Sequence, residues 1–224
     1  MDPKDFIFNG VSFRHLRNSL SSIWTNIYSK YLSEDSVIYD IGAFRGITAR
    51  GFGESGKYNV FAFEGSNRNY DYLIENTKDL TNVKCFNKAV HIKSYKTTTK
   101  FNDCITTGKR HPVQAVTYVN LPDFIKENNI PQPDFIKIDI EGMESVVFNT
   151  FNEWIKNKVK WQLSTHEGFP GYGADYPGWV PHVNGGFNFN TLLANYNVMD
   201  KHMKTKNSIH GFNEYFLTPK NKND

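Results

Sequence analysis

From Val37 onward the chain alternates short apolar runs with stretches whose apolar residues recur every three or four positions, the patterns of strands and helices in turn. Val37 to Ile41, Asn59 to Glu64, Val83 to Val90, Ala115 to Val119, Phe135 to Ile140 and Trp161 to Thr165 predict strands. Tyr95 to Phe101 reads as an exposed Thr/Lys-rich strand or excursion. Helices are predicted from near Ile47, over Tyr70 to Leu80, over Leu121 to Asn128 and between Met143 and Trp154. Ahead of the first strand, Phe13, Leu16, Leu20, Ile23, Trp24, Ile27, Tyr28 and Tyr31 make one apolar face of a helix over Ser12 to Leu32. The tail reads as a helix over Phe189 to Tyr196, then strands over Val198 to Met203 and Phe212 to Leu217. Strands alternating with helices give an α/β fold: a doubly wound, mainly parallel seven-stranded sheet closed by a C-terminal antiparallel hairpin.

The first two strands carry the clearest chemistry. Val37-Ile38-Tyr39-Asp40-Ile41 runs into Gly42-Ala43-Phe44-Arg45-Gly46, and Asn59-Val60-Phe61-Ala62-Phe63 ends in Glu64. An apolar strand, a glycine turn, a helix and a second strand ending in an acid make a nucleoside-binding βαβ unit, with backbone against the ligand and a carboxylate for the ribose diol. The glycines follow Asp40-x-Gly42-x-x-x-Gly46 rather than Gly-x-Gly-x-x-Gly. The missing glycine removes the close pyrophosphate approach that a dinucleotide requires. S-adenosylmethionine has no phosphate, so the spacing favours this methyl donor over NAD.

At 224 residues, without a composition break or internal repeat, the chain fits one domain. Residues 1–32 form its helical cover, 33–166 the cofactor-binding core, 167–188 an acceptor-side loop and 189–224 the terminal helix and hairpin. Two cysteines, Cys85 and Cys104, lack Cys-x-x-Cys spacing and suggest buried thiols rather than zinc or disulfides. A charged start and the lack of a long apolar run point to a soluble, cytoplasmic protein without a membrane span. The formal charge is only +3, and Lys201, Lys204 and Lys206 lack aromatic interleaving, so no nucleic-acid partner is indicated. Aromatic content is 15%, part of it gathered in the Gly/Pro-rich loop from Gly168 to Phe187.

Across Val37 to His166 the sequence resembles the FkbM-type S-adenosylmethionine-dependent methyltransferases, a branch of the class I, Rossmann-like enzymes. The resemblance is carried by Asp40-Ile41-Gly42-Ala43, by Phe63-Glu64 with Asn67, by Leu73-x-x-Asn76 and by Asn87-x-Ala89. Most specific is Lys137-Ile138-Asp139-Ile140-Glu141-Gly142-Met143-Glu144. The resemblance implies methyl transfer to a hydroxyl oxygen, often on a sugar, glycan or polyketide. Departures are Phe44 in place of Asn, Gly65 in place of Pro, and Pro122 within Leu121-Pro122-Asp123. The fifth strand ends Ser164-Thr165-His166-Glu167 where the family tends toward Glu-x-His.

The cofactor candidates are Asp40, Gly42, Ala43, Gly46, Glu64, Gly65, Asn67, Asn87, Ala89 and Asp139. Glu64 is assigned to the ribose hydroxyls, Asp40 to the glycine turn or the methionine ammonium, and Asn87 with Ala89 to the flanks of adenine. Asp139 suits the donor's positive charge, acceptor positioning or a metal. Proton removal from the acceptor falls to His166, whose ordinary pKa of about 6.5 fits neutral conditions, with Glu167 orienting or replacing it. His182 and His210 are secondary. A helix cap explains Glu144 as well as catalysis does, and an ion pair suits Lys137. In the acceptor-side loop Tyr172, Tyr176 and Trp179 could stack on a pyranose while Asp175 and His182 bind hydroxyls, with Glu141 completing a substrate site. Asp139, Glu141, His166 and Glu167 could also hold Mg or Mn, though no tight spacing demands a metal and the reading leans against one. The sequence thus reads as a sugar O-methyltransferase acting on a carbohydrate or glycan acceptor. A methyltransferase for a lipid, polyketide or other small-molecule hydroxyl is the alternative, and a noncatalytic adenosine-cofactor-binding module is the alternative of another class.

Overall fold

The computed structural model describes residues 7–8, 11–12, 29–100, 113–140, 143–166, 190–200, 205–206 and 212–221. The helix expected over Ser12 to Leu32 lies outside these residues except at its two ends, where Ser12 belongs to a short strand rather than a helix and Ser29–Tyr31 form a 3-10 turn. A two-strand ladder, β1 (Ile7–Phe8) with β2 (Val11–Ser12), precedes it.

The central sheet is built from β3 (Val37–Ile41), β4 (Asn59–Glu64), β5 (Val83–Asn87), β9 (Phe135–Ile138), β10 (Lys160–His166), β11 (Tyr196–Asp200) and β13 (Phe212–Pro219). Their spatial order is β11-β13-β10-β9-β3-β4-β5, with the two-residue β12 (Thr205–Lys206) added at the β11 edge. Pairing is parallel from β5 through β10. β13 runs antiparallel to both β10 and β11. The tail thus forms the expected hairpin, with its last strand inserted between β10 and β11. Chain order reverses between β3 and β9, which places a topological switch point at their C-terminal ends.

Alternation along each central strand sends residues to two cores. Ile38, Val60, Phe135 and Phe216 pack against Ala49 and Phe52 of α1 (Ile47–Gly53) and Leu73 of α2 (Asn67–Thr77). Tyr39, Phe61, Phe63 and Ile136 pack on the other face. They meet Leu121 and Ile125 of α3 (Leu121–Glu127), Val147 of α4 (Glu144–Val147), Trp154 of α5 (Asn152–Lys156) and Leu192 of α6 (Asn190–Asn195). Burial on both faces accounts for the nearly unbroken apolar runs of β3, β4 and β9.

Local chemistry sets the helix starts. Ser66 caps α2 by accepting the Asn69 amide, which begins that helix three residues before the periodicity predicts. Asn120 caps α3 through the Asp123 amide, and Pro122 sits in the first turn, where a missing N–H leaves no bond unmade. Arg50 of α1 ties to α2's end, its guanidinium bidentate to Asp79 at 2.7 and 2.9 Å and bonded to Glu54 at 2.7 Å.

One expectation is corrected and another refined. The run Val83 to Val90 is not one strand. After Asn87 the chain leaves the main sheet, and β6 (Ala89–Val90) pairs with β8 (Val113–Val119), which also pairs antiparallel with β7 (Tyr95–Lys100). This three-stranded side sheet takes in both the Thr/Lys-rich segment and the strand expected at Ala115 to Val119. The helix expected between Met143 and Trp154 is realised as α4, a 3-10 turn at Phe148–Thr150 and α5, with Phe148 and Phe151 both buried in the core.

Candidate cofactor site

The glycine turn after β3 is held first by backbone hydrogen bonds to β4. The amides of Gly42 and Ala43 both donate to the Phe63 carbonyl, at 2.9 and 3.0 Å. Gly42 has φ +77°, and a Cβ there would stand 1.8 Å from the Asp139 carbonyl oxygen, so no side chain fits. Gly46 has φ +87° and precedes the first turn of α1, against Leu73 of α2.

Between them Phe44 also takes the left-handed conformation, at φ +51°. This costs an L-residue other than Asn or Asp about 1–2 kcal/mol. The conformation aims the Phe44 amide at Glu64, whose Oε2 accepts it at 2.8 Å. The Arg45 guanidinium covers the rings of Phe44 and Tyr72, at 5.2 and 4.9 Å from their centroids. An asparagine meets the same backbone demand with less strain, so Phe44→Asn is expected to raise stability by roughly 0.5–1 kcal/mol. A melting temperature below that of the native chain would contradict this.

Glu64 ends β4 with 7% of its surface exposed. Its Oε1 accepts the Ser66 amide at 2.7 Å, and two neutral N–H bonds leave lone pairs on both oxygens. Burial pushes its pKa up to about 7; the Ser66 and Phe44 amides and the charge of Lys137 pull the other way. The free protein thus holds Glu64 partly protonated near neutrality. Because its folded pKa lies above the ordinary 4.5, this group makes the free protein less stable as pH rises from 4.5 through 7. A ligand diol donating to the carboxylate favours the ionised form, so cofactor affinity is expected to climb with pH up to and just past 7 and then level off. Titrating S-adenosylhomocysteine between pH 6 and 8 checks this, and a flat affinity would contradict it.

Asp40 and Lys137 are direct partners in the β3–β9 register. Asp40 is fully buried, with the Lys137 ammonium 3.0 Å from Oδ1. The ammonium donates to the Gly42 carbonyl at 2.6 Å, while neither Asp40 oxygen has a hydrogen-bond partner of good geometry among the described residues. Burial raises the pKa of Asp40 against the pull of Lys137. Burial disfavours the Lys137 cation, but Asp40, Asp139 and Glu64 outweigh it and hold the cation in place. The pair therefore anchors the glycine turn from beneath, the use the sequence suggested for Lys137.

Asp139 follows β9 beside the turn, its amide donating to the Ile41 carbonyl at 3.0 Å. Glu144 is buried in the first turn of α4 and accepts the Ile140 amide at 2.9 Å, a bond to the chain ahead of the helix rather than a cap of its own turn, whose N-cap Met143 has no side-chain bond. On the other side Asn87 is the register partner of Glu64, and its Nδ2 donates to Asn67 Oδ1 at 2.8 Å. Gly65 is buried between Glu64 and the Ser66 cap. Ala89 is buried in β6, already within the side sheet. Asp40, Gly42, Ala43, Glu64, Asn67, Asn87 and Asp139 thus gather along one edge of the sheet. His166 ends β10 on the same edge, three residues past the Leu163–Ile138 pair. Glu141, Glu167, Tyr172, Asp175, Tyr176, Trp179, His182, His210 and Cys104 lie outside the described residues. Among the described residues no group of three His, Cys, Asp or Glu could hold a metal ion, and no helix is long and apolar enough to cross a membrane. Cys85, the free thiol of β5, is pushed up in pKa by burial.

Seven strands in this order, with one antiparallel strand beside the edge and an acid ending β4, define the class I methyltransferase architecture. The model of the FkbM methyltransferase domain matches residues 40–169, and the chain belongs to that family of S-adenosylmethionine-dependent methyltransferases. Several solved structures are similar to the chain at low identity. Coclaurine N-methyltransferase bound to N-methylheliamine and SAH is 14% identical over 74% of this chain, with TM-score 0.43. The precorrin-6y C5,15-methyltransferase of Geobacter metallireducens GS-15 is 15% identical over 90% of this chain and 84% of its own, with TM-score 0.44. A fibrillarin/Nop5p complex is 12% identical over 95% of this chain and 86% of its own, with TM-score 0.51. The chain spans 41% of the coclaurine enzyme's length. No curated protein matches the sequence.

Proposed function

We propose that the protein transfers the methyl group of S-adenosylmethionine to a hydroxyl oxygen of a sugar, on a glycan or a glycosylated precursor. The observation that carries the reading is the row of strand ends: Glu64 on β4, the Gly42 turn on β3, Asp139 after β9 and His166 on β10 share one edge of the sheet. The chemistry of this row fits the cofactor. Glu64 has lone pairs for the ribose diol, Gly42 and Ala43 present backbone without bulk, and Asp139 offers a carboxylate for the methionine end or the sulfonium charge.

When bound, S-adenosylmethionine supplies an electrophilic methyl carbon on a positively charged sulfur. The acceptor oxygen forms its bond to that carbon as the carbon–sulfur bond breaks, and the hydroxyl proton passes to His166. Glu167 follows directly and can orient the imidazole. The sequence from Gly168 to Phe187 contains aromatic and polar residues of the kinds that hold a pyranose, which supports a carbohydrate acceptor over an apolar one.

The test is a screen of mono- and oligosaccharide acceptors for methyl mass gain, with His166→Gln beside the native chain. The reading expects a methylated sugar and a turnover loss of about a hundredfold or more in the variant, with S-adenosylhomocysteine affinity retained. Methylation confined to apolar small-molecule hydroxyls would overturn the sugar assignment. Indifference to His166→Gln would overturn its role as base.

A further inference from the structure

Three amides stand together beside Glu64; backbone groups fix the orientation of Asn67 and Gln114, and Asn67 in turn fixes that of Asn87. The Ala115 carbonyl can only accept, so Asn67 turns Nδ2 toward it, at 3.4 Å, and turns Oδ1 toward Asn87. Asn87 must then donate from Nδ2, which leaves its own Oδ1 as an acceptor at this edge. The Asn67 amide can only donate, so Gln114 meets it with Oε1 at 2.9 Å. That leaves Gln114 Nε2 as a donor, and it is withheld from water without a hydrogen-bond partner among the described residues. A buried donor left unmade is costly, so a ligand acceptor brought to it gains about tenfold in affinity. The two unused atoms, an acceptor on Asn87 and a donor on Gln114, are of the two kinds that the edge of adenine calls for, where an exocyclic amine adjoins a ring nitrogen.

We propose that Gln114 is a specificity-determining residue of the cofactor site: its Nε2 donates to a ring nitrogen of adenine while Asn87 Oδ1 accepts from the exocyclic amine. The inference rests on the cofactor assignment and not on the acceptor, so it stands or falls separately from sugar methylation. Gln114 lies at the start of β8 in the side sheet, so the excursion from the main sheet serves to bring an amide back to the cofactor edge. The ring nitrogen beside the amine is N1 on one edge of the purine and N7 on the other.

The experiment titrates S-adenosylhomocysteine and its 1-deaza and 7-deaza analogues against the native chain, Gln114→Glu and Gln114→Ala. Glutamate keeps an Oε1 acceptor for Asn67 and replaces the donor with a carboxylate oxygen, which adds a negative charge, and alanine removes the amide without adding one. In the native chain one of the two analogues is expected to bind about tenfold more weakly than the parent, and that deficit should vanish in both variants. The native series needs no variant to fold. Analogues that both bind the native chain within about twofold of the parent would overturn the proposal, as would a deficit that persists unchanged in Gln114→Glu. Native chain that binds none of the three would overturn it together with the cofactor site.

Discussion

Replacing Lys137 with methionine is expected to destabilise the protein by about 3–5 kcal/mol, a large fraction of the roughly 5–15 kcal/mol that typically separates folded from unfolded chains. Methionine fills much of the same volume, so the loss is electrostatic. Asp40 would remain fully buried with no countercharge, and the Gly42 carbonyl would lose the ammonium it accepts from at 2.6 Å. The effect has a signature in pH. Without Lys137 the folded-state pKa of Asp40 rises further above its unfolded value, so the penalty is largest above the folded pKa and shrinks as acid protonates the group. The deficit of Lys137→Met should therefore narrow on going from pH 8 to pH 5. Adding Asp40→Asn removes the stranded charge, and the double variant should be more stable at pH 7 than Lys137→Met alone. Urea unfolding of the three chains checks this. A single variant within about 1 kcal/mol of native stability, or no recovery in the double variant, would contradict it.

Gly42→Ala should be nearly as severe and should also abolish cofactor binding. The methyl group would lie 1.8 Å from the Asp139 carbonyl, and backbone on both sides fixes that approach. The left-handed φ of +77° adds about 1–2 kcal/mol to the overlap. Relief requires β3 and β9 to part where the glycine turn and Asp139 meet, so a total loss of roughly 3 kcal/mol or more is expected. Gly56→Ala is the control, since Gly56 has φ +68° with nothing within 4 Å of the added carbon. It carries the conformational cost alone. Equal losses in the two variants would show that φ, and not the approach to Asp139, makes Gly42 obligatory.

Much of this was legible in the sequence because the residues concerned act locally. The Asp40-x-Gly42 turn lies within one strand-turn-helix unit, and Glu64 closes the next strand, so both could be placed from spacing alone. The Asp40–Lys137 ion pair was half legible: a lysine within an apolar run needs a partner, but only the β3–β9 register names it. Pairing order was not legible. Val83 to Val90 reads as one apolar run, and nothing in its periodicity shows that Ala89 and Val90 join a different sheet. The insertion of β13 between β10 and β11 is likewise a matter of long-range pairing that alternation does not encode. Gln114 gave no signal at all. It is a lone amide at the start of a strand, 47 positions from the Asn67 amide that orients it. Met143 to Trp154 does contain helix, but its division into α4, a 3-10 turn and α5 was not legible, since Phe148 and Phe151 satisfy unbroken helical spacing.

The central claim is that an adenosine cofactor lies along the edge marked by the Gly42 turn and Glu64. Calorimetric titration of S-adenosylmethionine and S-adenosylhomocysteine against the native chain and Glu64→Ala tests it most directly. The account expects saturable one-site binding to the native chain, weakened roughly ten- to a hundredfold in the variant, because a buried carboxylate accepting from charge-neutral donors contributes on the order of 1.5–3 kcal/mol. Binding of equal strength to both chains would contradict the placement of the ribose at Glu64, and native chain that takes up neither compound would contradict the cofactor site itself.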